Sequence, residues 1–449
     1  MSFFLPTHVN KVRRKIRFFF FTLESSYDLH PTSTISRLKT LWAFSTSTLA
    51  FVCLLIIVIF SNPAVQQTIS PLVASLHSLH PLKDGKKGYQ VYGFAPYWTF
   101  DKLDNVDFSV LTTLAYFGVP VDSGGNLVKD DPGYSTFVSD KATTIFKKAH
   151  DAGTKVNLTV TQMDNFEILS LLDNPDAQKN AIEQIVAEVK NRGIDGVNVD
   201  FEFTGTPGSD YRNKFNEFIA NLSTRLHSQI PQGEVSVAVY ALSAKDPHLY
   251  DIASLSKSAD QIFMMAYDFA SAGADNAEPT SPLYGHKQGK YSYDIATAVE
   301  DFLKYMPANK LILGVPYYGY NYLVYNPQVK SETRPYWSWR GTPTVQTYST
   351  AQENVTPGMK GIDSYKTGWD NDGQVGWRAY HVADTDTWRM IFVEDQRSLG
   401  IKYDFAKGKN LAGVGIWALG FDDGRQELWV LLRDKFGVKL ADSRGLLYK

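Results

Sequence analysis

Two kinds of hydrophobic pattern alternate along the chain after residue 88. Short apolar runs rich in branched and aromatic residues recur, and between them apolar positions return every three or four residues. The first pattern predicts β-strands and the second predicts amphipathic helices. The predicted strands cover residues 89–96, 110–116, 155–161, 196–203, 235–242, 261–267, 311–317 and 413–419. Eight strands with interleaved helices predict an α/β fold, a (β/α)8 barrel whose active site lies at the carboxyl ends of the strands.

The helix between the third and fourth strands has the clearest boundaries. Asn174 precedes Pro175, which places a capping residue before a proline that can start a helix, and apolar positions then recur until Gly193. The same spacing predicts further amphipathic helices within residues 215–226, 295–303 and 428–436.

The segment between the seventh and eighth predicted strands is too long for a connection plus one helix. An insertion is therefore expected there, over residues 320–385, and it is rich in Tyr and Trp. Two interpretations stay open for these aromatic residues. They either wall a binding groove or pack only on one another in a loop-rich cap.

The first 87 residues have a different character. Residues 41–60 form an uncharged apolar run of about the 20 residues that a bilayer requires, and basic residues dominate the segment before it. We expect residues 1–40 to be a basic cytosolic tail, 41–60 a transmembrane helix and 61–87 a linker, with residues 88–440 outside the cytoplasm. A cleaved signal peptide or a buried core helix are the alternatives. The long leader without a small-residue cleavage site favours an uncleaved, single-pass anchor.

Charge and composition narrow the choice of partners. The chain has 45 basic and 47 acidic residues among 449, so no nucleic-acid partner is expected. Nine His residues lack metal-binding spacing, and no phosphate-binding loop, dinucleotide motif or serine nucleophile elbow is found, so we expect no metal and no cofactor. Cys53 is the single cysteine, which excludes an intramolecular disulfide. The aromatic content of 14% suits stacking on sugar rings and suits a large core equally well.

The fourth predicted strand carries the strongest candidate chemistry. Alternation places Asn198, Asp200 and Glu202 on one face and apolar residues on the other. Neighbours on the same face of a strand lie about 6.5–7 Å apart, so the two carboxylates can couple electrostatically and flank one reacting bond. The alternative is a half-buried edge strand with its polar face in water. That alternative is disfavoured because strand propensity and mutual repulsion both work against paired carboxylates.

Together with Asp195, this stretch resembles the Asp-x-x-Asp-x-Asp-x-Glu motif of glycoside hydrolase family 18, the chitinases and related N-acetylglucosaminidases. Asn198 replaces the middle Asp, as in the chitobiase-like and spore-cortex peptidoglycan glucosaminidase branch. Three further blocks resemble the family: Met-Met-Ala-Tyr-Asp-Phe at 264–269, Gly-Val-Pro-Tyr-Tyr-Gly at 314–319 and Gly-Val-Gly-Ile-Trp-Ala-Leu at 413–419. The third strand lacks the Ser-x-Gly-Gly of typical chitinases, which argues against crystalline chitin as the substrate.

The resemblance implies roles for individual residues. Glu202 is implied as the general acid, Asp200 as the residue that orients the substrate's acetamido group, and Tyr267 as a hydroxyl donor to that group. Asn198 is implied to hydrogen-bond Asp200. The implied substrate-binding residues are Asn198, Trp417, Met265, Asp268, Tyr97 and Tyr318, with Trp98 beside Tyr97 as a further sugar contact.

The resemblance also implies a reaction. Family 18 enzymes are retaining glycosidases in which the 2-acetamido oxygen of the substrate, rather than a carboxylate of the enzyme, attacks the anomeric carbon. The implied substrates are β-1,4-linked N-acetylglucosamine glycans, either peptidoglycan or chitin oligosaccharides, and residues 320–385 are implied to be a small α+β insertion. A non-catalytic lectin on the same fold is the main alternative, and a scaffold for a partner protein is a third.

Overall fold

The computed structural model describes residues 88–337, 339–353 and 357–437. The expected tail, transmembrane helix and linker, residues 1–87, lie outside this part of the chain. Within the described ranges, no helix is both long enough and apolar enough to cross a membrane.

Eight parallel strands close into a barrel. Seven of them come first along the chain: β1 (Gln90–Pro96), β2 (Thr113–Pro120), β3 (Lys155–Gln162), β4 (Gly196–Phe201), β5 (Glu234–Tyr240), β6 (Gln261–Met265) and β7 (Leu311–Pro316). The eighth barrel strand, β13 (Gly413–Trp417), pairs with β1 and with β7, which closes the ring in the order β1-β13-β7-β6-β5-β4-β3-β2. The predicted (β/α)8 barrel is confirmed.

The second strand is displaced from its predicted position. It was expected at residues 110–116, whereas β2 begins at Thr113, which pairs with Lys155, and runs to Pro120 beside Thr161. Val110 and Leu111 are buried, but they precede the first paired residue. An apolar run identifies buried positions, while pairing with the neighbouring strand decides which of them join the sheet.

Helices surround the barrel and follow its strands. Their bounds are α1 (Pro132–Phe137), α2 (Asp140–Asp151), α3 (Asn165–Asp173), α4 (Pro175–Arg192), α5 (Ser209–Gln229), α6 (Ile252–Ser258), α7 (Ile295–Phe302), α8 (Tyr348–Glu353), α9 (Gln396–Gly408) and α10 (Glu427–Phe436). The predicted limits of α4 are confirmed. The Asn174 side chain accepts hydrogen bonds from the amides of Asp176 and Ala177, and Gly193 ends the helix with a φ of 62°.

Strand β4 is buried on both faces. Its outward residues Val197, Val199 and Phe201 pack against the helices, and the Phe201 ring stacks on Phe218 of α5 with centroids 5.9 Å apart. The polar residues on the opposite face point into the barrel and are buried as well. The edge-strand alternative is therefore wrong, since no face of β4 meets water.

The barrel interior is filled by aromatic side chains beneath the carboxyl ends of the strands. Phe263 lies at its centre, with its ring 4.8 Å from that of Phe94. A Cβ atom at Gly314 or Gly415 would overlap the Phe263 ring. The glycines of the seventh and eighth strand motifs therefore make room for this ring.

The insertion between β7 and β13 is a five-stranded antiparallel sheet with one short helix, α8. Its strands are β8 (Tyr318–Val324), β9 (Thr344–Thr347), β10 (Ile362–Asp370), β11 (Val375–Val382) and β12 (Thr387–Val393), in the order β10-β11-β12-β8-β9. The sheet begins slightly before residue 320 and ends after 385. Tyr318, Tyr320 and Tyr322 form an apolar cluster that Tyr267 and Trp417 of the barrel adjoin. These aromatic residues pack on the barrel and not only on one another.

Candidate active site

A cavity of about 450 Å³ opens at the carboxyl ends of the barrel strands. This is the end of a (β/α)8 barrel at which active sites lie, and the volume is in the range of small-molecule sites. Seven of the nine predicted site residues line it: Asp200, Glu202, Met265, Tyr267, Asp268, Tyr318 and Trp417. The sequence blocks that predicted them are far apart along the chain, and barrel closure brings them together.

Asp200 and Glu202 stand side by side at the end of β4. Asp200 is within the strand, while Glu202 lies one residue beyond its last paired residue, Phe201. The backbone amide of Glu202 donates a 2.9 Å hydrogen bond to the carbonyl of Gln162 at the end of β3. This bond keeps the backbone of Glu202 extended, so that its side chain follows that of Asp200 into the cavity.

Burial dominates the electrostatics of these two carboxyl groups. Removal from water raises the pKa of Asp200 well above its usual range, and the nearby Glu202 charge raises that pKa further. Burial also raises the pKa of Glu202, and Asp268 adds repulsion. Ionising both of these buried carboxyl groups is costly, because their two negative charges repel one another and water does not screen them. The pair therefore retains a proton at a pH where an exposed carboxyl is ionised.

Tyr240 is a residue that the sequence reasoning missed. It is the last residue of β5, and its side chain lines the cavity together with Glu202. The Tyr240 hydroxyl favours the ionised form of Glu202 and lowers its pKa, which partly offsets the effect of burial. The sequence offered one indication of Tyr240, its position near the carboxyl end of the predicted strand 235–242.

Tyr267 has a hydroxyl group that is ready to donate. Burial raises its pKa well above the usual range, and the charges of Asp200 and Glu202 act in the same direction, so the proton stays on the oxygen. Among the described residues the Tyr267 hydroxyl has no hydrogen-bond partner, while the residue itself lines the cavity. The group is therefore available to a molecule in the cavity.

Asp268 is fixed by hydroxyl groups from two directions. Its Oδ1 atom accepts hydrogen bonds from Tyr318 and Tyr320 of the insertion, both at 2.7 Å, and from Thr280 at 3.1 Å. The backbone of Asp268 has a φ of 56°, a left-handed conformation that Asp tolerates better than most residues. This turn redirects the chain after Tyr267 and brings the Asp268 carboxylate to the cavity.

Aromatic rings surround Trp417 at the end of β13. The ring centroids of Phe117 and Phe94 lie 4.7 Å and 5.6 Å from that of Trp417, both in edge contacts. The exposed Trp98 lies 6.4 Å away and extends the aromatic surface beyond the cavity. Such a surface can stack on the apolar face of a sugar ring.

Asn198 does not line the cavity. It is completely buried, two residues before Asp200 on the same face of β4, and its Nδ2 atom donates a 2.9 Å hydrogen bond to Ser236. The expected hydrogen bond to Asp200 is not formed, because the neighbouring strand β5 presents Ser236 at the same level of the barrel. Asn198 is therefore placed to support the floor of the site and not to contact a bound sugar.

Tyr97 is the second residue that the structure places outside the cavity. It is the first residue of a 3-10 helix after β1 (Tyr97–Asn105), packs on the main core and meets the Trp98 ring at a centroid distance of 4.9 Å. Of these two consecutive residues, Trp98 is the one beside Trp417. Strand alternation does not extend beyond β1, which is why the sequence could not separate the two.

Asp195, the first residue of the acidic motif, lies at the opposite end of β4. Its carboxylate accepts a 2.7 Å hydrogen bond from the amide of Val156 and pairs with His150 of α2. It joins β3, β4 and a helix at the amino-terminal end of the barrel. Its physical contribution is to hold the barrel geometry and not to act chemically at the cavity.

Other cavity residues were not singled out from sequence. They are Phe94, Ala238, Ala241, Leu242, His248 and Phe269. His248 is held by a 2.6 Å hydrogen bond between its Nδ1 atom and the carbonyl of Gly205. No group of three or more His, Cys, Asp or Glu residues that could hold a metal ion occurs among the described residues.

Comparison with known proteins agrees with this geometry. The family model of glycosyl hydrolases family 18 matches residues 90–422. The chain belongs to glycosyl hydrolase family 18. The match includes every barrel strand and the insertion, so it covers the whole cavity.

Relatives within family 18 differ in their described activities. Over 283 residues the chain is 26% identical to a di-N-acetylchitobiase of Rattus norvegicus, covering 58% of this chain and 73% of that protein. It is 22% identical over 311 residues to a cortical fragment-lytic enzyme of Bacillus subtilis, covering 68% of this chain and 65% of that protein. The match spans 42% of the length of a probable endochitinase of Caenorhabditis elegans and 84% of that of a di-N-acetylchitobiase of Mus musculus.

Solved structures of family 18 share the fold. A chitinase of Cycas revoluta in complex with (GlcNAc)4 superposes with a TM-score of 0.65 at 18% identity, covering 78% of this chain and 100% of that chain. At 18% identity the superposition shows that the fold is shared, and it does not identify the substrate.

Proposed function

We propose that this family 18 protein is a retaining glycosidase that hydrolyses β-1,4-linked N-acetylglucosamine glycans by substrate-assisted catalysis. One observation carries the proposal: a buried carboxyl pair, Asp200 and Glu202, shares a single cavity with the free hydroxyl of Tyr267 and with Trp417. A lectin would need the aromatic surface but not the buried carboxyl pair, whose burial costs free energy without helping to bind a neutral sugar.

The first step uses Glu202 as the acid. Its raised pKa keeps a proton available, and that proton passes to the glycosidic oxygen as the bond from this oxygen to the anomeric carbon breaks. The bonding electron pair leaves with the oxygen. The substrate's acetamido oxygen forms a bond to the anomeric carbon from the opposite face, which gives an oxazolinium ion.

The second step returns the enzyme to its starting state. Glu202, now ionised, takes a proton from water as the water oxygen attacks the anomeric carbon and the bond to the acetamido oxygen breaks. Two displacements at one carbon give net retention of configuration. The Tyr240 hydroxyl stabilises the ionised Glu202 between the two steps.

Asp200 and Tyr267 control the acetamido group. Asp200 accepts the acetamido N–H and offsets the positive charge of the oxazolinium ion, while Tyr267 donates its hydroxyl proton to the acetamido oxygen. No described residue donates a hydrogen bond to the Asp200 carboxyl, and Asp200 lines the cavity, which leaves it available to such a donor. Trp417 supports the sugar ring from below.

Peptidoglycan strands and chitin oligosaccharides are the substrates we propose. Both contain β-1,4-linked N-acetylglucosamine, and the names of the relatives point to both classes. We further propose that residues 41–60 anchor the chain in a membrane with the barrel outside the cytoplasm, on the basis of hydropathy and flanking charge. Protease treatment of intact cells should then degrade the barrel but spare an epitope placed at the amino terminus.

Replacement of the acid tests the mechanism. Glu202→Gln should abolish release of reducing ends from N-acetylglucosamine tetramers while leaving tetramer binding within a few fold of wild type. Near-normal turnover in this variant would contradict the role of Glu202. Wild-type protein that binds the tetramer without cleaving either it or peptidoglycan would instead indicate the lectin.

A further inference from the structure

The loop between β8 and β9 presents aromatic rings to solvent at the far end of the insertion. Tyr336, Trp337 and Trp339 are exposed by 63%, 59% and 61%. None of these three residues belongs to the sequence motifs that predicted the cavity. Together with Arg334 and Arg340 we name these residues the aromatic tip.

The backbone that carries the aromatic tip is held in place. Amides of Arg340 and Gly341 both donate to the carbonyl of Trp337 at 2.9 Å, and Gly341 adopts a φ of 86°. Arg340 donates to the carbonyl of Pro335 at 3.0 Å, and Arg334 donates to that of Asp386 at 2.6 Å. These hydrogen bonds hold the backbone of the described residues that carry the exposed rings.

Of the three rings in the aromatic tip, those of Tyr336 and Trp337 have uncovered faces. Arg340 covers one face of Trp339, with its guanidinium carbon 4.4 Å from the ring centroid. Tyr336 and Trp337 have no ring or cation contact among the described residues. A flat ring with an uncovered face can stack on the apolar face of a sugar.

The aromatic tip also carries two positive charges, those of Arg334 and Arg340. Within the described ranges, neither Arg334 nor Arg340 forms a salt bridge, and both use N–H groups to bond neutral carbonyl oxygens. The Nε atom of each is buried without a hydrogen-bond partner among the described residues. This charge favours a ligand with carboxylate or phosphate groups over a neutral one.

The β8–β9 loop that carries the aromatic tip is attached to the loop after β6 and to the insertion sheet. Thr333 donates backbone and side-chain hydrogen bonds of 2.8 Å to Asp275 and Ala274 in the loop that begins at Asp268. Val329, from the same β8–β9 loop, packs in the apolar cluster that contains Tyr318 and adjoins Trp417. The aromatic tip is therefore fastened to the same two segments that supply Asp268 and Tyr318 to the cavity.

A bilayer fits the aromatic tip less well than a glycan does. Membrane-surface segments combine aromatic residues with several aliphatic ones that enter the acyl region. Between residues 325 and 343, Val329 is the only branched aliphatic residue, and it is packed inward.

We propose that the aromatic tip is an accessory binding site for an anionic N-acetylglucosamine polymer of the peptidoglycan type, outside the catalytic cavity. Tyr336 and Trp337 stack on sugar rings, and Arg334 and Arg340 attract the carboxylates of the polymer. The proposal rests on the proposed function, because it assigns the same glycan class to a second surface. Binding at two linked sites retains long polymers far better than short oligosaccharides.

A comparison of long and short substrates tests the accessory site. The full chain is prepared as wild type, as Tyr336→Ala/Trp337→Ala, and as Tyr305→Ala, which removes an aromatic ring of 52% exposure far along the chain from the tip. We expect the double variant to bind purified peptidoglycan about tenfold more weakly, since aromatic anchors contribute most of the energy of an interface. Its kcat/KM on the N-acetylglucosamine tetramer should equal that of wild type, and Tyr305→Ala should match wild type on both.

A second double variant tests the role of Arg334 and Arg340. Arg334→Gln/Arg340→Gln should weaken binding to peptidoglycan and flatten its dependence on salt, while binding to uncharged colloidal chitin changes little. Unchanged peptidoglycan binding in both double variants would overturn the accessory site. Loss of binding to vesicles of anionic phospholipid, with peptidoglycan binding intact, would assign the tip to a membrane and would also overturn it.

The two proposals fail in distinguishable ways. Glu202→Gln should retain the peptidoglycan binding that depends on the aromatic tip. If wild type does not cleave the tetramer, the proposed function fails, whereas equal loss on tetramer and polymer in the tip variant contradicts only the accessory site. Circular dichroism and the melting temperature of each variant establish that the fold is retained.

Discussion

The hydroxyl of Tyr318, the first residue of β8, donates a 2.7 Å hydrogen bond to Oδ1 of Asp268. Tyr318 belongs to the insertion and Asp268 to the loop after β6, so this bond joins the two parts of the chain at the cavity. Both residues line the site, and Tyr320 and Thr280 bond the same oxygen. The insertion thus supplies Tyr318 to the cavity and holds the Asp268 carboxylate in place.

Tyr318→Phe should lower kcat/KM by about tenfold, because a hydrogen bond to a charged group contributes about 1.5–3 kcal/mol and part of it is replaced by water or by Tyr320. The melting temperature should change little. Tyr322→Phe is the matched control, since its hydroxyl bonds the carbonyl of Glu278 and not Asp268. Steady-state kinetics on a chromogenic N-acetylglucosamine oligomer measure both. Equal losses in the two variants would contradict a specific role for the Tyr318 bond.

Tyr240→Phe should change the pH dependence of the reaction. The Tyr240 hydroxyl lowers the pKa of Glu202, so its removal raises that pKa. The basic limb of kcat/KM against pH reports the acid of the free enzyme, and it should move to higher pH. The maximal rate should also fall, since ionised Glu202 loses this stabilising hydroxyl. A basic limb that moves to lower pH would contradict the assignment.

Asp200→Asn should make stability less dependent on pH. The pKa of Asp200 in the folded protein lies well above the 3.8 of an exposed Asp. The stability provided by its protonated form is complete below about pH 3.8 and is lost as the pH rises through the folded-state pKa. The variant should therefore melt at a higher temperature than wild type near pH 8. Each tenfold difference in acid dissociation constant between the folded and unfolded states corresponds to about 1.4 kcal/mol of unfolding free energy.

Thermal melts from about pH 4 to about pH 8 test this difference. The gain in Asp200→Asn should shrink as the pH falls, and an exposed control, Asp130→Asn, should show no such trend. A gain that is constant with pH would mean that burial of the charge is not its cause.

Lys402→Met should destabilise the protein more than most single substitutions. Lys402 Nζ and Glu394 Oε2 form a buried ion pair at 2.6 Å between α9 and the end of β12. Removal of one partner leaves a buried carboxylate unpaired, at a cost of about 3–5 kcal/mol. Lys402→Met/Glu394→Leu should recover most of that loss. Urea denaturation followed by circular dichroism measures the three proteins, and a single variant as stable as wild type would contradict the prediction.

Several features of this protein followed from sequence because they are local. The eight strands appear as apolar runs, and Asn174, Pro175 and Gly193 mark the ends of α4. Alternation along residues 196–203 assigned Asp200 and Glu202 to one face. These features depend on backbone geometry and burial, which repeat with a fixed period along the chain.

Contacts between distant strands could not be read in this way. The sequence could not show that Ser236 of β5, and not Asp200, receives the Asn198 amide, because the register of β4 on β5 decides it. Nor could it separate Tyr97 from Trp98, since strand alternation ends with β1 and both residues lie in the 3-10 helix that follows. Tyr240 was missed because its only signal is its position at the end of a strand.

The sequence by itself determined the barrel, the carboxyl pair on β4 and the family to which the chain belongs, because each is encoded in short patterns. Only the tertiary structure decided which side chains share the cavity: it brought Tyr240 to Glu202, fastened Tyr318 to Asp268 and left Tyr97 outside. The physical reason is that barrel closure and strand register set the distances between residues far apart along the chain, and no local pattern contains them.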